Sequence, residues 1–72
     1  MVKKLLGKRI ATIRKARKLS QEIFAEKSGY SVEFISLVER GINAPSVAGL
    51  EKIASVLRVS IKDLFDFRKS MQ

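Results

Sequence analysis

The 72-residue chain contains no cysteine and no histidine. The first absence excludes a disulfide framework. The second removes the side chain most used as a general base and most used to ligate a metal. Acids are scarce too, 7 against 15 Lys and Arg, and no two of them are spaced for general acid–base work. Catalysis is therefore not expected, and neither is a metal or any other cofactor. No apolar run approaches the roughly 18 residues of a membrane helix. The basic start MVKKLLGKRI lacks the apolar core of a signal peptide. Tryptophan, the usual interfacial anchor, is missing. A soluble, cytoplasmic chain with no membrane partner and no small-molecule ligand is the expectation.

What is present is globular in character: 46% hydrophobic and 31% charged residues, too apolar for a disordered tail. A chain this short forms one domain and buries only about 60% of its unfolded surface. Without staple or metal it must lean on helix packing or oligomerisation. The net charge is +8. Residues 1–18 hold Lys3, Lys4, Lys8, Arg9, Arg14, Lys15, Arg17 and Lys18 and no acid. Such a run reads either as a solvated helix face or as attraction for a polyanion.

Leu6, Ile10 and Ile13 fall on one helical face, so a first helix is expected from Val2 to Arg17, with Leu19 packing in the turn. Ser20 is a natural N-cap for a second helix, Gln21 to Ser28, closed by Gly29. Ser31 caps a third, Val32 to Arg40, ended by Gly41. Two short helices joined by a tight glycine-containing turn make a helix-turn-helix. After the loop INAP, Ser46 caps a fourth helix, Val47 to about Leu57, in which Gly49 costs roughly 1 kcal/mol relative to Ala. Ser60 and Asp63 resemble a capping box that opens a fifth, Ile61 to about Phe67. The expectation is a compact all-α domain of five helices over residues 1–67, with residues 68–72 as a frayed tail.

The third helix has one apolar face too many. Ile35 and Val38 point inward together, which turns Val32, Glu33, Ser36 and Leu37 to the remaining faces. A major groove about 12 Å wide admits one helix. There Val32 and Leu37 can pack on thymine methyls, Ser36 can donate or accept, and Glu33 can accept from a cytosine amino group. Val32, Phe34 and Leu37 can equally complete the core or a protein interface, and both readings stay open.

The stretch LGKRIATIRKARKLSQEIFAEKSGYSVEFISLVERGINAPSVAGLEKIASVLRVSIKDLF, nearly the whole chain, resembles the lambda-repressor-like, Xre-type helix-turn-helix family. The resemblance is carried by Ile10, Ile13 and Arg14, Leu19-Ser20-Gln21, Phe24-Ala25, Gly29, Ile35, Glu39-Arg40-Gly41, Pro45-Ser46, Ile53-Ala54 and Leu57, in order and without a gap. It implies a sequence-specific, double-stranded-DNA-binding regulator that acts as a repressor or autoregulator. Restriction–modification controllers and antitoxin-type regulators are small members. It further implies that Val32, Glu33, Ser36 and Leu37 read bases, that Gln21 holds a phosphate, that Phe34, Arg40 and Asn43 lie along the sugar-phosphate backbone, and that Arg14 and Glu39 form a salt bridge. Three positions depart from the family's habit: Phe24 where Leu is common, Ile23 where a polar residue is usual, and Val32 where a long polar side chain is frequent.

Phosphate contacts supply affinity and register, and the candidates are Arg9, Arg17, Lys18, Ser20, Gln21, Arg40 and Asn43. One recognition helix reads few bases, so a two-fold dimer on half-sites about 34 Å apart is expected. Val59, Ile61, Phe65 and Phe67 are the interface candidates, with Leu64 closing the monomer's own core. The competing reading is a protein-interaction module that uses the helix-turn-helix as a scaffold.

Overall fold

Five α-helices follow one another in the computed structural model, which describes residues 1–70: α1 (Val2–Ala16), α2 (Gln21–Ser28), α3 (Val32–Glu39), α4 (Val47–Leu57) and α5 (Ile61–Leu64), followed by a 3₁₀ helix (Phe67–Ser70). The all-α, five-helix architecture is the one expected. The short 3₁₀ helix packs on α1 where a tail was expected. The remainder of that expected tail, Met71 and Gln72, lies outside the described residues.

Serine caps every α-helix after the first. The Ser20 hydroxyl accepts from the Ile23 amide at 3.1 Å, Ser31 from Phe34 at 3.0 Å, Ser46 from Gly49 at 3.1 Å and Ser60 from Asp63 at 3.1 Å. Each bond satisfies an amide that has no partner within its helix, and each is worth about 1 kcal/mol. Asp63 answers with its carboxylate on the Ser60 amide at 3.4 Å, completing a capping box.

Helix ends are less uniform. Gly29 closes α2 at φ 77°, as a residue without Cβ can, but α1 and α4 run out into Lys18 and Arg58 at φ 59° and 60°. Helix α5 is shorter than expected and stops at Leu64 instead of Phe67. The amides of Phe65 and Asp66 bond to carbonyls three residues back, Lys62 at 3.1 Å and Asp63 at 3.2 Å, so the chain tightens into a turn.

Leu6, Ile10 and Ile13 of α1, Phe24 and Ala25 of α2, Ile35 and Val38 of α3, Ile53, Ala54 and Leu57 of α4 and Leu64 of α5 form one buried cluster. Helix α3 lies against both α1 and α2. Two glycines permit close approaches. A Cβ on Gly7 would collide with the Val38 carbonyl and stand 2.9 Å from that of Glu39, so α1 can meet the C-terminal turn of α3 only at a glycine. A Cβ on Gly49 would collide with the Tyr30 hydroxyl and stand 3.1 Å from Pro45 Cβ. Gly49 is thus more than a weak helix former: it makes room for Tyr30.

Candidate nucleic-acid interface

The rotation of α3 about its axis is set by Ile35 and Val38, which are 0% and 1% exposed. With those two inward, Val32 and Glu33 are exposed and Ser36 and Leu37 half-buried. Together with Gln21 and Arg40 they line a single open concavity. All four residues expected to read bases are therefore gathered on one surface, which also carries the first residue of α2.

This surface is anchored from behind. Arg14 on α1 donates from Nε to Glu39 Oε2 at 2.6 Å and from Nη2 to Oε1 at 3.1 Å, while Nη1 reaches the Leu19 carbonyl at 2.7 Å. Both side chains are withdrawn from water, at 9% and 7% exposure. Gln21 joins them: its Nε2 donates to Glu39 Oε1 at 2.9 Å. One polar cluster therefore ties α1, the turn after it, the start of α2 and the end of α3. Burial makes such a cluster costly to break, because each partner left alone keeps a desolvated polar group.

The other expected contacts fall into different places. Lys18 and Arg40 are exposed, and Arg40 has no ion pair among the described residues. Asn43 is half-buried, with its backbone amide 3.3 Å from the Leu37 carbonyl. The Ser20 oxygen caps α2, which leaves its hydroxyl proton to donate elsewhere. Phe34 is half-buried at the margin of the core, its ring centroid 4.6 Å from that of Tyr30 and tilted by 30°. Tyr30 was not singled out from the sequence, although it both seats Phe34 and fills the notch at Gly49. The pair four residues apart was the available signal.

One expectation needs correction. Arg9 is not an exposed phosphate contact: it is 7% exposed, and its Nε donates to the Asp63 carbonyl at 2.8 Å, bracing α1 against α5. Arg17 is exposed, and although its Nε donates to the Leu57 carbonyl at 2.8 Å, its remaining N–H groups can still reach a phosphate. Carbonyls at helix C-terminal ends lack intrahelical donors and carry partial negative charge, so they capture guanidinium groups. Both arginines serve the fold in this way.

Of the residues considered for self-association, Val59 and Phe67 are half-buried against the core, whereas Ile61 and Phe65 are 37% and 39% exposed. Phe65 and Phe67 meet edge to face with centroids 6.0 Å apart.

Residues 10–64 match the family model described as Helix-turn-helix. The HTH-type transcriptional regulator SinR of Bacillus subtilis is 38% identical over 63 residues, which cover 86% of this chain and 57% of SinR. The chain thus spans little more than half the length of that relative. Among solved structures, the restriction-modification controller protein C.AhdI from Aeromonas hydrophila superposes with a TM-score of 0.83 at 34% identity, covering 86% of this chain and 94% of that one. A structure of SinR in complex with DNA superposes with a TM-score of 0.79 at 39% identity, covering 85% of this chain and 98% of that one.

Proposed function

The chain belongs to the Helix-turn-helix family, and from that premise we propose that it is a sequence-specific DNA-binding transcriptional regulator that sets α3 in the major groove. The observation that carries this reading is the surface on which Val32, Glu33, Ser36 and Leu37 converge beside Gln21 and Arg40. Those four residues all lie on α3, and a major groove accommodates one helix. The buried Arg14–Glu39 pair behind it holds α3 at a fixed angle to the rest of the domain, as a rigid reading head requires. Likeness to SinR, which has been solved with DNA, supports the same reading.

In this role Val32, Glu33, Ser36 and Leu37 meet base edges. Arg17, Lys18, Ser20, Gln21, Arg40 and Asn43 meet phosphates, with Phe34 beside the backbone. The +8 charge supplies the long-range attraction. The regulator works as a homodimer on a palindromic operator, paired through the exposed Ile61 and Phe65, and acts in the cytoplasm as a repressor or autoregulator. Likeness to the restriction-modification controller C.AhdI favours a controller-like role.

The experiment is selection of bound duplexes from a random library with the purified protein. The expected result is a two-fold symmetric consensus. Affinity for it should fall with salt, with a log–log slope of about −0.9 per phosphate contact. The apolar Val32 and Leu37 beside the acidic Glu33 also suit a protein groove. No enriched duplex, together with salt-insensitive binding to a protein, would establish that alternative instead.

A further inference from the structure

A second concavity lies where the C-terminal ends of α1, α2 and α4 come together. Arg17, Leu19, Lys27, Val56 and Arg58 line a cleft of about 250 Å³ there. Helix α3 supplies none of them. Lys27 stands six residues beyond Gln21 on α2, about 9 Å along the helix axis from the residue that joins the α3 surface.

The lining holds three cations and no acid, and none of the three has an ion pair among the described residues. Arg17 is held in place by the end of α4: its Nε donates to the Leu57 carbonyl at 2.8 Å and its Nη2 to the Arg58 carbonyl at 3.5 Å. Those bonds cover two acceptors that would repel an anion, and they leave the Nη1 N–H groups to meet a carboxylate. Arg58 closes α4 at φ 60° and ψ 44°, a left-handed cap that glycine adopts with less strain. A strained position that sets a cation on the rim of a cleft points to a use for its side chain.

The rest of the lining is aliphatic. Leu19 and Val56 are half-buried and leave part of their surface in the cleft. Ile23, one turn before Lys27 on α2, is 47% exposed and adds aliphatic surface beside it. A phosphate would pair with the cations and leave Leu19 and Val56 unused. A peptide with carboxylates on either side of an aliphatic side chain uses both, and the volume suits one or two side chains better than a whole small ligand. On this charge and shape complementarity we propose that the cleft is a docking site for an acidic segment of a partner protein, with a Leu, Ile or Val seated between Leu19 and Val56 and flanking Asp or Glu side chains on Arg17, Lys27 and Arg58. The site does not rest on the DNA-reading role of α3.

The test uses the full chain without DNA, because Arg17 also belongs to the proposed phosphate contacts. Selection from a displayed library of random peptides is expected to enrich a single aliphatic residue flanked by acids. The synthetic peptide of that sequence should move the backbone amide resonances of Leu19, Lys27, Val56 and Arg58 and leave those of α3 in place. Arg58→Gly should weaken the peptide roughly threefold while leaving the melting temperature unchanged or raised, an outcome that a merely structural arginine would not give. Lys27→Glu should weaken it roughly tenfold, and Val56→Thr, which exchanges a methyl group for a hydroxyl, roughly threefold. Enrichment of peptides without acids, resonance shifts confined to α3, or affinity indifferent to Arg58→Gly and Val56→Thr would overturn the inference. So would a random-sequence duplex that moves the same four resonances and displaces the peptide, which would identify the cleft as a phosphate track. Each of these results leaves the proposed reading of bases by α3 to its own duplex selection.

Discussion

Arg14 grips Glu39 through two guanidinium nitrogens, at 2.6 and 3.1 Å, with both side chains nearly out of water. The pair joins the long first helix to the last turn of α3, and so fixes the angle at which the exposed side of α3 is presented. An ion pair this deeply buried is expensive to halve. Arg14→Ala and Glu39→Ala should each destabilise the domain by about 3–5 kcal/mol. The double variant Arg14→Met/Glu39→Leu should recover a large part of that loss, because no charge is left alone. Denaturant unfolding checks this, and losses below about 1 kcal/mol would identify the pair as effectively solvated.

Gly7 should tolerate no side chain. A methyl group there runs into the Val38 carbonyl, which belongs to helix backbone and cannot rotate away. Gly7→Ala should cost about 3 kcal/mol, at the upper end of overpacking, although alanine is the better helix former by about 1 kcal/mol. Thermal unfolding of the two proteins decides between packing and propensity by the sign of the shift.

Gly49→Ala poses the same contest with an adjustable neighbour. Propensity alone predicts a gain of about 1 kcal/mol. The Tyr30 hydroxyl in the way predicts a loss. Removing that hydroxyl with Tyr30→Phe should relieve part of the loss, so a double-mutant cycle should show favourable coupling of at least about 0.5 kcal/mol. Strictly additive effects would place the strain elsewhere.

Ile61 and Phe65 should govern self-association without governing the fold, because both are exposed whereas Leu64 between them is fully buried. Phe65→Lys should shift sedimentation at tens of micromolar from dimer to monomer and leave the helical circular-dichroism signal unchanged. A wild-type protein that is already monomeric at that concentration would remove the proposed interface.

Much of this architecture is legible in the sequence because its signals are local. Serines at positions 20, 31, 46 and 60 bond to amides three residues ahead, so the helix starts can be read from neighbours alone. Assigning Ile35 and Val38 inward is enough, at 3.6 residues per turn, to place Val32, Glu33, Ser36 and Leu37 outward together. The Arg14–Glu39 pair came from family resemblance, since 25 residues separate its members and no periodicity links them. What stayed hidden depends on tertiary neighbours. Gly7 and Gly49 look like weak helix residues until the opposing backbone and the Tyr30 ring are in place. Arg9 and Arg17 look like free positive charge until the carbonyls of Asp63 and Leu57 arrive from distant helices. The early end of α5 depends on Phe65 and Asp66 turning into three-residue bonds, which no sequence periodicity records.

Glu33 gives the most direct test of the claim that the outward side of α3 reads bases. It is exposed, makes no hydrogen bond among the described residues, and lies on the surface shared with Val32, Ser36 and Leu37. Duplex selection should be run in parallel with wild-type protein and Glu33→Ala. A consensus altered at one or two symmetric positions, with half-site spacing unchanged, is the predicted outcome. An identical consensus from both proteins would contradict the account, because a side chain in the groove cannot be removed without a trace in the sequence it selects.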